Sequence, residues 1–266
     1  MTAPHPAPAV SPDREAPLLE VSGVDVRFGG IHALRGVDMI VPAGVVTGLI
    51  GPNGAGKTTF FNVVCGLQEA HAGRIRFDGG DISGRKAYQR ARLGIARTFQ
   101  RLEVFGSMTA RDNVLVAAEV HRRWARDGSD PSSEADRILD VVGLKAMAGE
   151  QVDAMPTGLA RLVELGRALA TKPRLLLLDE PSSGLDESES EEFGGLLTRL
   201  AGDGLGVLLV EHDIELVMAV CSRLYVLDFG QILASGTPAE IQRDPLVRAA
   251  YLGVGDQAAE EIAGVG

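Results

Sequence analysis

One stretch constrains this chain more than any other: Gly51-Pro52-Asn53-Gly54-Ala55-Gly56-Lys57-Thr58, which fits the pattern G-x-x-x-x-G-K-[ST]. Its glycines let the backbone turn successive N–H groups inward as a nest for an anion. Val45 to Ile50, just before it, reads as a short apolar strand. Lys57 to Cys65 reads as a helix, whose positive N-terminal end adds to the same site. Strand, glycine loop and helix form the context that phosphate binding needs. The glycine, lysine, serine and threonine frequencies of the chain give roughly 0.005 chance matches over its length, so coincidence is a poor explanation. In such a loop Lys57 sets a point charge between the β- and γ-phosphates of a nucleotide, and the Thr58 hydroxyl ligates Mg2+. Gly51, Asn53, Gly54, Gly56, Lys57, Thr58 and Thr59 are the candidate contacts.

Composition narrows what the loop can serve. Acidic residues number 36 and basic residues 26, a net charge of −10. That balance opposes general nucleic-acid binding, which runs on phosphate neutralisation. A local phosphate site made of backbone amides and one lysine remains open. With 266 residues the chain can bury a full core as one large domain or two modest ones. Cys65 and Cys221 are its only cysteines, which points to a reducing compartment and away from a disulfide scaffold. The longest uncharged stretch, Met39 to Gly56, holds Pro42, Pro52 and five glycines and cannot be one membrane-spanning helix. Residues 1–17 carry five prolines and no basic cluster before an apolar run, so they read as a disordered leader and not a secretory signal. Residues 254–266 are small and acidic and read as a flexible tail.

Between these ends the patterning alternates. Leu18 to Phe28 reads as a strand before the turn Gly29-Gly30, and Arg74 to Phe77 as another, closed by Asp78-Gly79-Gly80. From Arg101 to about Gly158, Val114, Leu115 and Ala118 and then Ile138, Leu139 and Val142 recur at helical spacing. Arg126 to Ser133, with Gly128 and Pro131, reads as a polar loop between them. The whole is a small helical subdomain. A helix over 159–170 presents Leu159, Leu162, Val163, Leu165 and Leu169. Leu175 to Leu178 has no polar break, as a strand buried on both faces requires, and Val207 to Val210 is a second such strand. Leu224 to Leu227 and Gln231 to Ala234 read as a hairpin.

A phosphate loop does not separate kinases, GTPases and transport ATPases; the later motifs do. Arg174-Leu175-Leu176-Leu177-Leu178-Asp179-Glu180 runs directly into Pro181-Ser182-Ser183-Gly184-Leu185-Asp186. Gly94-Ile95-Ala96-Arg97-Thr98-Phe99-Gln100 precedes them, and Val210-Glu211-His212-Asp213 follows. In this order, over roughly residues 18–253, they resemble the ATP-binding-cassette (ABC) family. The resemblance implies an α/β fold: a P-loop nucleotide-binding core with an antiparallel β subdomain and the inserted helical subdomain at about 101–158. ATP and Mg2+ are the implied cofactors. Asp179 would hold Mg2+ through water, and Glu180 would be the general base that polarises the attacking water. Gln100 would touch Mg2+ or that water, and His212 would contact the γ-phosphate and orient Glu180. Asp186 belongs to the loop that crosses to a partner subunit. Phe28 stands where the family stacks an aromatic on adenine, with a plain core residue as the other reading.

Where the family carries the signature Leu-Ser-Gly-Gly-Gln, this chain has Met155-Pro156-Thr157-Gly158-Leu159. Pro156 offers neither N–H nor hydroxyl, so the Gly158 N–H, the helix N-terminus and the Thr157 hydroxyl would carry the contact to a phosphate held by the partner. Leu159 fits neither this form nor the Leu-Pro-x-Gly-Gln form of an importer subgroup. The proline, the phrase Gly94 to Gln100 and the ending Arg248-Ala249-Ala250-Tyr251-Leu252-Gly253 are similar to ATP-binding subunits of branched-chain amino-acid importers. Urea and short-amide importers share these markers, as does, in part, the lipopolysaccharide-export ATPase. The implied partners are a second ABC ATPase subunit, identical or not, and transmembrane permease subunits gripped beside Gln100 by Arg101, Leu102, Val104 and Phe105. An extracytoplasmic solute-binding protein would take part indirectly, and nucleic acid would not. The chain would sit on the cytoplasmic face of the membrane, peripherally. Two alternatives stay open: the hydrolysis-impaired half of a heterodimer, on the strength of Leu159, and a soluble ABC ATPase without a transport role.

Overall fold

Period-two burial builds the first layer of the computed structural model, which describes residues 17–249. The expectations for the leader up to residue 16, for the tail, and for residues 250–253 lie outside the described residues. β1 (Leu19–Phe28) turns Leu19, Val21, Val24 and Val26 inward and pairs with β2 (Ile31–Val41) across the Gly29-Gly30 turn. β2 has no counterpart in the sequence reading, because His32, Arg35, Gly36 and Asp38 break up its apolar alternation. β3 (Val46–Ile50) is buried at every position and leads through the glycine loop into α1 (Lys57–Cys65), as expected. β4 (Ala72–Phe77) and β5 (Gly80–Asp81) complete a four-stranded antiparallel sheet in the order β2-β1-β4-β5. α2 (Ala87–Arg92) and β6 (Ile95–Arg97) follow.

The helical layer holds α3 (Ala110–Ala125), α4 (Pro131–Val141) and α5 (Thr157–Leu169), with α5 packed against both others. Two boundaries differ from the reading of the sequence. The polar loop ends before Pro131, because Asp130 caps α4 by accepting from the Ser133 N–H at 2.9 Å while Pro131 supplies its first residue. α5 starts at Thr157 and not Leu159, because Pro156, extended at ψ 151°, is its N-cap and carries no N–H to satisfy.

The rest of the chain is β7 (Leu175–Asp179), α6 (Glu187–Gly202), β8 (Gly206–Val210), α7 (Ile214–Val220), β9 (Arg223–Asp228), β10 (Gln231–Gly236), α8 (Pro238–Arg243) and α9 (Pro245–Val247). A six-stranded sheet runs β10-β9-β3-β8-β7-β6, parallel throughout except for β10, the antiparallel hairpin partner of β9. This sheet divides the apolar residues into two cores. Leu175 and Leu177 join the core under the antiparallel sheet and α1; Leu176 and Leu178 join the core under the helices. The four-leucine run is therefore read two residues at a time, one pair to each face. Gly51, Glu180 and Glu211 all follow the carboxyl ends of parallel strands, the edge where open α/β sheets bind ligands. No helix among the described residues is long and apolar enough to cross a membrane.

Candidate nucleotide-binding site

The glycine loop is shaped by contacts that exclude side chains. Gly56 has φ +111°, and a Cβ there would lie 2.7 Å from the Ala33 carbonyl oxygen. Gly54 has φ +81° with open space around it, so its need is conformational only. Asn53, Gly54 and Thr58 are exposed, Thr59 is half-buried and Lys57 is 7% exposed. The Lys57 Nζ donates to the carbonyl oxygens of Gly51 (2.6 Å) and Pro52 (3.0 Å), which aims the ammonium back over the loop. Burial pulls this ammonium below its ordinary pKa, and the carboxylates of Glu180 and Asp179 oppose that shift.

Facing the loop, three sequence-predicted residues meet. Glu180 directly follows β7 in a left-handed backbone, φ +52°, held by its N–H donating to the Val210 carbonyl at 2.8 Å. Its Oε2 accepts from the Gln100 side-chain amide at 2.9 Å. Its Oε1 lies 2.8 Å from the His212 Nε2. A bulky residue at positive φ is costly, about 1–3 kcal/mol, and such strain concentrates where a side chain must be aimed. The sequence motifs therefore converge on one carboxylate through side chains 80 and 32 residues away along the chain.

Behind this cluster lies a polar framework that the sequence reading missed. Asp179 is 2% exposed, and its Oδ2 accepts from the Arg97 Nη2 at 2.8 Å. The same guanidinium donates to the Asn62 side-chain oxygen at 2.6 Å on α1 and lies over the rings of Phe61 and Phe99. On α5, buried Arg161 donates to the carbonyls of Phe99 (3.1 Å) and Gln100 (2.7 Å) and to Glu164 (3.2 Å). Glu164 accepts from the N–H groups of Phe99 (3.3 Å) and Glu103 (3.2 Å). Arg167 donates to the Glu103 carbonyl and lies over the Phe105 ring. Burial pushes the Glu164 carboxyl above its ordinary range against the pull of those donors. α5 thus grips the backbone on both sides of Gln100. In the sequence Arg161 and Glu164 fall opposite the apolar stripe of Leu159, Leu162 and Val163 and look like a solvated face; only the fold, which covers both sides of α5, shows them buried.

The remaining predicted residues stand apart from this convergence. Phe28 is 48% exposed at the tip of the β1–β2 hairpin, opposite Ile31, so it is not a core residue. Pro156, Thr157 and Gly158 begin α5; a Cβ on Gly158 would lie 2.8 Å from Leu185 and 3.2 Å from Glu189. The signature stretch therefore packs on the 184–189 segment of its own chain. Asp186 caps α6, accepting from the Glu189 N–H at 2.8 Å while Glu189 accepts from the Asp186 N–H at 2.9 Å. No hydrogen bond among the described residues joins Pro156, Thr157, Gly158 or Asp186 to the glycine loop. A cavity of about 490 Å³ beside this seam is lined by Gly158, Leu159, Leu185 and Phe193, away from the glycine loop.

A sheet-edge glycine loop facing a carboxylate held by glutamine and histidine defines a nucleotide-binding ATPase of the P-loop class. The ABC transporter family model matches residues 34–183, so the chain belongs to the ABC transporter family, and it is an ATP-binding subunit of such a transporter. A second model, that of branched-chain amino acid ATP-binding cassette transporters, matches residues 231–257. The chain is 39% identical to the high-affinity branched-chain amino acid transport ATP-binding protein BraF of Pseudomonas aeruginosa, over 89% of this chain and 98% of that protein. It is 37% identical to the lipopolysaccharide export system ATP-binding protein LptB of Acidithiobacillus ferridurans, over 89% of this chain and 97% of that protein. Among solved structures, the ADP conformation of the ATP-binding cassette MJ1267 aligns with a TM-score of 0.80 at 30% identity, covering 90% of this chain and all of that one. The dimeric post-hydrolysis state of the cassette MJ0796, bound to ADP and phosphate, aligns with a TM-score of 0.73 at 25% identity, covering 83% of this chain and 98% of that one.

Proposed function

We propose that this subunit binds Mg-ATP on the 51–58 loop and hydrolyses it with Glu180 as general base, to power uptake of branched-chain amino acids or related small polar solutes. The observation that carries the site assignment is the pair of contacts on Glu180, with Gln100 on one oxygen and His212 on the other. A carboxylate fixed from both sides can hold a water in line while accepting its proton. Gly51, Asn53, Gly54, Gly56, Lys57, Thr58 and Thr59 cradle the phosphates, with Lys57 as the point charge. Phe28, exposed and unobstructed, stacks on the base.

The donor set fits magnesium. The Thr58 hydroxyl, the Gln100 side-chain oxygen and the Asp179 carboxylate are hard oxygens, and Arg97 engages only Oδ2 of Asp179. No cluster of three or more His, Cys, Asp or Glu side chains suited to a metal occurs among the described residues. Magnesium held by Thr58, Gln100 and Asp179 would neutralise phosphate charge.

The subunit works in a pair. Pro156, Thr157, Gly158 and Asp186 do not reach their own loop, so they serve a second subunit's nucleotide. The dimeric neighbour supports that reading. Permease subunits bind beside Gln100 and hold the chain at the cytoplasmic face of the membrane, with an extracytoplasmic solute-binding protein upstream. Identity alone does not choose the solute, since BraF and LptB are nearly equally similar. The match over residues 231–257 favours import of branched-chain amino acids.

Glu180→Gln tests the assignment. The variant should keep Mg-ATP affinity while its turnover falls about a hundredfold or more, as expected when a general base is lost. Turnover equal to the parent's removes Glu180 from that role.

A further inference from the structure

Glu211 follows β8 directly and is 3% exposed, yet it forms no ion pair among the described residues. Its Oε1 accepts from the Ser182 N–H at 2.7 Å, and its Oε2 from the His212 N–H at 3.1 Å. The Ser182 hydroxyl and the Asp213 N–H also close on it. A buried carboxylate without a countercharge opposes folding unless its bonds compensate, so its tolerance here needs a reason. The segments it joins supply that reason. One carries Glu180, whose strained turn continues with the Ser183 N–H donating to the Glu180 carbonyl at 3.3 Å. The other carries His212. The 2.8 Å contact between His212 Nε2 and Glu180 Oε1 exists only while these two backbones keep a fixed separation. Val210 holds the start of the turn through the Glu180 N–H, and Glu211 holds its middle through Ser182.

We propose that Glu211 is a positioning residue for hydrolysis: its carboxylate staples the 180–183 turn to the His212 backbone and so fixes the Glu180–His212 pair. This rests on the ATPase reading above and adds a residue that touches neither nucleotide nor water. No hydrogen bond or ion pair among the described residues joins Glu211 to the 51–58 loop, so its loss leaves nucleotide binding alone and acts on turnover.

The test compares Glu211→Gln and Glu211→Asp in the transporter complex, with amide hydrogen exchange measured on the same proteins. Gln turns an NH2 toward one of the N–H donors. Asp keeps the charge but shortens the reach. Expected are a kcat lower by about tenfold or more in Glu211→Gln with KM for Mg-ATP within about twofold, and an intermediate kcat in Glu211→Asp. The Ser182 and His212 amides should exchange faster in both variants, a readout that needs no turnover. If Glu211→Gln does not fold, the Asp variant carries the same comparison. A kcat within about twofold of the parent in a folded variant overturns the proposal, as does a parallel loss of kcat and affinity. A parent that hydrolyses no ATP refutes the reading in the preceding subsection and this one with it. A parent that turns over beside an equally active Glu211→Gln refutes this one alone.

Discussion

Arg161→Met isolates the grip of α5 on the Gln100 segment. Arg161 and Glu164 are both buried and lie 3.2 Å apart. Removing the arginine deletes that pair and two donations to the Phe99 and Gln100 carbonyls, and leaves a carboxylate supported only by the Phe99 and Glu103 N–H groups. Breaking a buried pair from one side costs about 3–5 kcal/mol. The two remaining N–H donors put this case near 3 kcal/mol, against a total stability of about 5–15 kcal/mol. With a urea m-value of about 3 kcal/mol/M, the unfolding midpoint should fall by about 1 M with m unchanged. Adding Glu164→Leu to Arg161→Met should cost little more, because the stranded charge goes with it. The coupling energy in the double-mutant cycle should then be about 2 kcal/mol. Strictly additive single costs, or an Arg161→Met cost below about 1 kcal/mol, would refute the claim that this pair fastens the segment.

Two further outcomes are expected. Lys57→Ala should abolish or strongly weaken Mg-ATP binding in a nucleotide titration while leaving the unfolding midpoint nearly intact, since Lys57 contacts only loop carbonyls; unchanged affinity contradicts the loop assignment. Glu164 and Glu211, both raised by burial, bind protons more readily folded than unfolded. Their favourable contribution is complete below the ordinary carboxylate value of about 4.3 and is lost as pH rises through their elevated folded values. The stability deficit of Glu164→Gln against the parent should therefore shrink as pH rises above the ordinary carboxylate range, and chemical denaturation showing a deficit that widens with pH contradicts the sign.

The elements that sequence made plain were those with a local cause. The glycine loop, its helix over Lys57–Cys65 and the Leu175 strand each follow from backbone freedom or unbroken apolarity within a few residues. The hairpin of β9 and β10 was equally plain. β2 was not, because its polar interruptions are tolerated only where β1 lies beside it. In the site, order along the chain sufficed to single out Gln100, Glu180 and His212, which the fold brings into contact. Arg97, Arg161, Glu164 and Glu211 were illegible, because each acts on a segment brought near by the fold. A charge that is buried only through tertiary contact resembles a surface charge until the partner element is known.

Leu159 shows the same limit from the opposite side. In the sequence, a leucine in place of the signature glutamine argues for a weakened composite site. In the fold, Leu159 is half-buried and packs against the helical core, lining the seam with Leu162, Leu185 and Phe193. A side chain on that face does not compete with the polar end of α5, where Thr157 is exposed and the first-turn amides remain free to meet an anion. Leu159 therefore lies on the core side of the helix, where packing constrains its side chain. Pro156 and Thr157, at the N-terminal end of the helix, are exposed, whereas Gly158 is buried in the same seam as Leu159.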